Sequence, residues 1–536
     1  MTEYYRNRNP HQTRATRDMA DKRGKLVKES KFAFLTAVID HYCYLMDLKK
    51  EEFNLEFNNY MTHIRYTGRK KFRRQHDKML EMAIMKACSD HYEDFNDNNV
   101  KKDFINKAID TLNEREKTII RLRKFREKSI TLDELGQKLK ISKERVRQIE
   151  TKALDKLKKS LLMQSKAKKI IPGMTQFLSK RPDLWSYGVW PTYFSKARGS
   201  NIWDLDGNKY IDMSVAGVGT NILGYADQDV NRAVINIIKE GSNSTLNSPE
   251  EIELSELLIK LHPWADMVRL CRTGAEAMSV AVRIARASQK KDRVAFCGYH
   301  GWSDWYVSAN LKKNDILQKH VIPGIDPMGV PKKMGGSALA FTYNDINSLK
   351  KIISKNKKEL AAVVMEPIRS IKPTNSFLEK VRNITKENNI PLIFDEITSA
   401  FRMKTEGAHQ TISNVKPDIA VFSKAMGNGH PIAAIIGSEK IMRFAEQSFI
   451  SSTFWTEKVG TIAALATLKK HKNKNVGKRL IQIGKEVRKI WKEKAEKENL
   501  KINIGGGMDP ISSFSIECEY PQILKTFFIE KMLEKK

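Results

Sequence analysis

Lys424 stands where an apolar run, Ile419 to Phe422, meets a turn built from Gly427, Asn428, Gly429 and Pro431. The run reads as a buried strand. A lysine at its end is partly withdrawn from water, and burial disfavours the ammonium form. A neutral amine is the form that attacks a carbonyl or makes a Schiff base. A solvated loop lysine is equally open on this stretch alone. Three other stretches supply what Schiff-base chemistry with a planar, phosphorylated cofactor requires. In residues 391–401 the run Leu392, Ile393, Phe394 reads as a central strand, with Asp395 and Glu396 at its C-terminal end. Open α/β sheets bind ligands at that edge, and a carboxylate there can keep a ring nitrogen protonated. In residues 272–287 the small turn Thr273-Gly274-Ala275 opens a helix with an apolar stripe at Val280, Ala281, Ile284 and Ala285. The first N–H groups of a helix form an anion site that suits a phosphate. In residues 297–306 Tyr299 and His300 follow a short strand, Val294 to Phe296, and precede Gly301, where an aromatic ring can stack on a planar group.

Those residues call for a particular scaffold: strands whose C-terminal ends share one edge, each followed by a turn and a helix. Taken in order, the four stretches resemble the class III pyridoxal phosphate (PLP) aminotransferases, among them proteins like glutamate-1-semialdehyde aminomutase. The resemblance runs from about Pro172 onward and includes WDLDGNKYIDM at 203–213. It implies fold type I, a mostly parallel sheet with helices on both faces. It implies PLP as cofactor, Lys424 as the Schiff-base lysine and Asp395 as partner of the pyridinium. Tyr299 and His300 would lie against the ring, and Gly274 and Ala275 would hold the phosphate. Thr453, in STFWTE at 452–457, would reach the phosphate of a neighbouring subunit, so that the active unit is a homodimer. Glu366, in VVMEP at 363–367, would stand near the site. The implied partners are a small amino donor and a carbonyl acceptor, with transamination and aminomutation both open. The family continues beyond the stretch that here ends at Lys536, so the small C-terminal domain is expected to be incomplete.

Upstream the chemistry changes. Residues 112–123 read as a helix capped by Asn113 and Glu116. In residues 131–157, Leu132, Leu135 and Leu139 give one short helix an apolar face. Gly136 permits close approach, and Ile141-Ser142 make a turn and cap. A second helix turns Val146, Ile149, Ala153, Leu154 and Leu157 inward and presents Lys143, Glu144, Arg145, Arg147 and Gln148 outward. This is a helix-turn-helix, an all-α module whose second helix meets the DNA major groove. The segment resembles region 4 of sigma-70-type factors. By that resemblance Lys143, Glu144 and Gln148 would read bases, Arg145 and Arg147 would hold phosphates, and promoter DNA and RNA polymerase would be partners. A lysine at 143 lacks the two-pronged guanine contact of an arginine.

The domains expected are a basic helical region at 1–103 with a disordered N-terminus, the helix-turn-helix at 104–160, a lysine-rich linker at 161–171, and the enzyme domain at 172–536. The formal net charge is +32 over 536 residues. Residues 1–169 carry half of it, +16, in under a third of the length, which favours phosphate partners there. The basic cluster GRKKFRR at 68–74 belongs to that region. Five scattered cysteines with no C-x-x-C pair argue against a disulfide framework or a metal site and fit a reducing cytoplasm. The basic N-terminus lacks the apolar core of a secretion signal. Two further functions fit the same residues: a regulator that senses an amino compound through PLP, and a sigma-like initiation factor joined to a broken enzyme.

Overall fold

The computed structural model describes residues 113–124, 130–185, 190–214, 216–312, 316–319, 325–517 and 521–535. The apolar helices and basic cluster expected within 1–103 lie outside the described residues. The chain divides into two compact units. One takes in the chain up to Phe194, the turn Asp204–Asn208 and the stretch from Cys518. The other takes in Ser195–Trp203 and Lys209–Glu517.

The first unit contains three consecutive helices, α1 (Glu114–Lys124), α2 (Leu132–Leu139) and α3 (Lys143–Ile170). Each start is set locally. Asn113 and Glu116 exchange hydrogen bonds across the first turn of α1, at 3.0 and 3.2 Å. Thr131 and Glu134 do the same for α2, at 2.8 and 3.2 Å. The Ser142 hydroxyl accepts from the Arg145 N–H at 3.1 Å to open α3. Such caps contribute about 1 kcal/mol each. Between α2 and α3 the chain turns through Lys140, at φ 53°. Gly136 serves this turn, since a Cβ there would lie 2.7 Å from the Ile141 carbonyl oxygen. Ile119, Leu135 and Val146 are fully buried where the three helices meet. Arg123 ties the assembly, donating to Glu150 at 3.2 Å and to the Ile130 carbonyl at 2.9 Å. The stretch expected as a linker, 161–171, is helical almost throughout. Nothing in it is a proline or glycine, and α3 runs unbroken to Ile170.

The second unit is built on a seven-stranded sheet. Its strands in chain order are β1 (Met267–Cys271), β2 (Arg293–Cys297), β3 (Ala338–Ala340), β4 (Leu360–Met365), β5 (Leu392–Asp395), β6 (Ile419–Phe422) and β7 (Ala433–Gly437). Their spatial order is β1-β7-β6-β5-β4-β2-β3. Pairing is parallel from β3 through β6, and β7 runs antiparallel to both neighbours. β4 to β7 are buried along their whole length, as expected of strands covered on both faces. Two clusters cover the faces, one around Leu360, Phe394 and Phe422, the other around Ala281, Ile284 and Val364. The second belongs to helix α4 (Gly274–Gln289), whose stripe Val280, Ala281, Ile284 and Ala285 is buried. A small antiparallel ladder, Asn201–Asp204 with Lys209–Ile211, forms the expected strand-turn-strand. A hairpin of Ile502–Met508 and Ile511–Ile516 packs with the helix Val476–Lys497. No described helix is long and apolar enough to cross a membrane.

Candidate active site

Because β1, β2, β4, β5 and β6 point the same way, the residues at and just after their last positions collect at one edge of the sheet. Gly274, Tyr299, Glu366, Asp395 and Lys424 are those residues. Lys424 follows β6 in a short 3-10 turn and holds φ 40°, an unusual backbone for a lysine. Its amine donates to the Thr398 hydroxyl at 2.8 Å. Burial lowers its pKa from the ordinary 10.5, against the pull of Asp395 and with the help of the Arg402 charge. Asp395 closes β5 and is 3% exposed. One carboxylate oxygen accepts the Ile397 N–H at 3.0 Å, and the other pairs with His300 Nδ1 at 2.8 Å. His300 is 1% exposed, and its Nε2 lies 3.2 Å from the Cys297 carbonyl oxygen. His300, expected near the ring face with Tyr299, is here paired with the Asp395 carboxylate. Its side chain is enclosed and contacts that carboxylate directly. The adjacent acid, Glu396, serves the fold. It accepts the N–H groups of Ala408 and His409, at 2.6 and 2.9 Å, and pairs with the His409 ring. Burial pushes its carboxyl up, but these partners hold it below the ordinary value.

Tyr299 is half-buried, and burial raises its hydroxyl pKa. Its N–H donates to Glu366 Oε2 at 3.0 Å. Glu366 also pairs with Arg369 at 3.2 Å, yet burial raises its pKa. Gly298, at φ +110°, lets the chain pass over that carboxyl. Gly274 and Ala275 form the first turn of α4, where N–H groups have no acceptor within the helix. Glu276 accepts from the main chain of Arg272 and Thr273 at 3.0 and 3.3 Å, which fixes this turn. Thr453 sits exposed on a short 3-10 turn. Its expected partner belongs to another subunit, so the single chain does not bring it to the cluster.

Three contributors were missed by sequence reasoning: Thr398, Arg369 and Arg402. The only available signal was their proximity to Asp395 and Glu366 in the chain. Arg402 is 7% exposed, and burial lowers its pKa to about 10.

On the helix-turn-helix, Lys143, Glu144, Arg145, Arg147 and Gln148 are all exposed along the start of α3. They are cross-tied at the surface. Arg147 holds Glu144 at 2.8 Å, Arg145 reaches Gln148 at 3.1 Å, and Lys143 reaches Asp133 at 2.9 Å. Exposed pairs of this kind are weak and exchangeable, so the face is open to phosphates and base edges.

The catalytic edge fits PLP by its donor set. It offers a deprotonation-prone buried amine, a buried carboxylate held by a histidine, a half-buried tyrosine and a helix start. Gly274 clears the floor of that start, where a Cβ would lie 2.8 Å from Ile397 Cδ1. Residues 186–534 match the family described as aminotransferase class-III. Residues 108–159 match the family described as sigma-70, region 4. A 3-aminobutyryl-CoA aminotransferase of Cloacimonas acidaminovorans is 36% identical over 58% of this chain and 73% of its own. A glutamate-1-semialdehyde 2,1-aminomutase of Methanocaldococcus jannaschii is 34% identical over 59% of this chain and 74% of its own. Among solved structures, an omega-transaminase from Sphaerobacter thermophilus superposes with a TM-score of 0.57 at 26% identity, covering 70% of this chain and 85% of that one. The FumI protein of Sphingopyxis sp. MTA144, in its PLP internal aldimine form, shares the fold with a TM-score of 0.61 at 24% identity, covering 68% and 84%.

Proposed function

The chain belongs to the class-III aminotransferases, and from that premise we propose that it moves an amino group from a small donor to a carbonyl acceptor, using Lys424 as the residue that carries PLP. The observation that supports this most is the Lys424 amine. It is half-buried at the end of β6, bonded to a hydroxyl, and beside the strand that ends in Asp395.

PLP, when bound, supplies an electron sink conjugated to the carbon that bears the amine. Asp395 would hold the ring nitrogen, with His300 fixing the carboxylate's direction. Tyr299 would lie on the ring face, with Glu366 anchoring its main chain. Gly274 and Ala275 would receive the phosphate at the start of α4. The Lys424 amine then takes the proton from the substrate Cα and returns one as general acid. Burial, which lowers its pKa from the ordinary 10.5, favours the neutral amine that accepts that proton. Transamination and aminomutation use the same residues. A homodimer in which Thr453 serves the neighbouring site fits the exposure of Thr453 and of Phe449 and Phe454 close by. The absorption spectrum of the purified protein tests the proposal. A visible band that Lys424→Ala abolishes, and that amino donors bleach, is expected. No band in folded protein would sink it.

A second reading concerns the first unit. The exposed row Lys143 to Gln148, on a helix capped at Ser142, supports promoter binding through the major groove. Arg145 and Arg147 are assigned to phosphates, and Lys143, Glu144 and Gln148 to bases. Affinity for promoter DNA that falls steeply with salt, and exceeds that for unrelated DNA, is the expected result.

A further inference from the structure

Lys424 sits inside a closed ring of contacts. From its amine the ring passes to the Thr398 hydroxyl at 2.8 Å. The Thr398 carbonyl accepts from Arg402 Nε at 3.1 Å, and a terminal nitrogen of Arg402 donates to the Gly219 carbonyl. Gly219 belongs to a loop, residues 216–224, from a distant part of the chain. That loop returns to the lysine through Asn428, whose Oδ1 accepts the Leu223 N–H at 2.8 Å and whose Nδ2 donates to the Gly224 carbonyl at 3.1 Å. Asn428 directly follows the 3-10 turn Lys424–Gly427, which the lysine opens, and so closes the ring.

The Asn428 side chain suits this place. It is 5% exposed, so water does not compete for its amide. A main-chain N–H only donates and a carbonyl only accepts, and an amide offers both an acceptor and a donor from one short side chain. Its backbone holds φ 44°, a left-handed conformation that asparagine adopts more readily than most residues. Beside it, a Cβ on Gly429, at φ +98°, would lie 2.6 Å from Asn221 Oδ1, so turn and loop are in close contact. Both joined segments hold uncommon backbones. Lys424 is at φ 40°, and the successive residues Ala216, Gly217, Val218 and Gly219 are at φ 37°, 67°, 61° and 81°. In non-glycine residues such conformations persist where the surroundings enforce them.

We infer that Asn428 is a positioning residue: by clamping the 216–224 loop to the lysine's turn it holds the Lys424 backbone in its left-handed state and aims the amine. The inference rests on the reading that Lys424 carries PLP, and it concerns the attachment step. There the amine nitrogen bonds to the aldehyde carbon of PLP, and the aldehyde oxygen leaves as water with the two hydrogens of the neutral amine. That step needs the amine in line with the carbon, whereas the preceding capture of ring and phosphate does not.

Asn428→Gly removes the clamp with a residue that tolerates φ 44°. Apoprotein is mixed with PLP over a range of concentrations, and the growth of the visible band separates the initial binding constant from the first-order attachment. In Asn428→Gly, attachment should slow by a factor on the order of 10 to 100, the cost of a misaimed reacting group, with the initial binding constant unchanged. Asn428→Asp keeps the acceptor for the Leu223 N–H and should recover part of the rate. Amide hydrogen exchange over 216–224 of the apoprotein should quicken in Asn428→Gly. Quicker exchange with unchanged attachment overturns the inference and leaves Asn428 as a loop anchor only. Unchanged exchange overturns the clamp itself. Weakened initial binding with unchanged attachment also overturns it and moves the effect to cofactor capture. If Asn428→Gly does not fold, the isosteric Asn428→Asp decides on the same readings. A wild-type protein with no visible band would instead overturn the parent reading, and this one with it.

Discussion

Gly298 and Gly241 hold nearly the same φ, +110° and +103°, but meet different surroundings. A Cβ on Gly241 would find nothing within 4 Å. On Gly298 it would lie 2.5 Å from Glu366 Oε2, 3.0 Å from its Cγ and 3.1 Å from its Cδ. Both alanine variants bear the backbone strain of a side chain in that region, about 1–3 kcal/mol. Only Gly298→Ala also forces the Glu366 carboxyl to move. That carboxyl is 6% exposed and cannot retreat into water. Moving it breaks the 3.0 Å bond from the Tyr299 N–H, and losing one such buried bond costs about 1–3 kcal/mol. At about 2 °C per kcal/mol for a unit of this size, Gly298→Ala should melt about 2–6 °C below Gly241→Ala. Scanning calorimetry of the two variants beside wild type reads that difference. The perturbation also frees Tyr299, so PLP uptake should weaken in Gly298→Ala and stay normal in Gly241→Ala. Equal melting temperatures would refute the placement of Glu366 under the Gly298 turn, and with it the role given to Glu366 in anchoring Tyr299.

His262 and His471 are buried, and burial lowers both from the ordinary 6.5. The folded chain keeps them neutral while the unfolded chain binds protons below that value, so their contribution to stability is present above about pH 6.5 and is lost on acidification. Glu366, raised by burial, pulls the other way with a single proton. A melting temperature that stays flat from about pH 7 to about pH 5.5 would contradict the histidine placement. Leu135→Ala removes a fully buried side chain from the three-helix core and should cost about 2–5 kcal/mol, seen as an earlier denaturation midpoint and loss of DNA binding. Arg147→Ala should weaken binding to all DNA sequences alike and reduce the log–log salt slope by about 0.9. Gln148→Ala should instead relax preference at one base pair by about 1–3 kcal/mol, and identical effects on specific and unrelated DNA would remove it from the reading face.

Much of this protein was legible in its sequence because the signals were local. Apolar runs ending in Phe394, Phe296 and Phe422 marked buried strands, since a strand covered on both faces has no polar side to show. Asn113 with Glu116 and Ser142 before Lys143 marked helix starts, because capping uses residues only three apart. The lysine and the aspartate were singled out on that basis, and the family resemblance supplied the roles expected of them. What tertiary structure decided were the contacts between strands far apart in the chain. Asp395 and Glu396 are neighbours on one strand end, yet one faces the site with His300 and the other binds the main chain at Ala408 and His409. His300 meets Asp395, 95 positions away, only because both stand at one sheet edge. The linker expected at 161–171 became helix because nothing in its composition stops one. Arg402 was invisible beforehand: in sequence it is one more arginine in a basic chain, and only the fold buries it with no acid among the described residues paired to it.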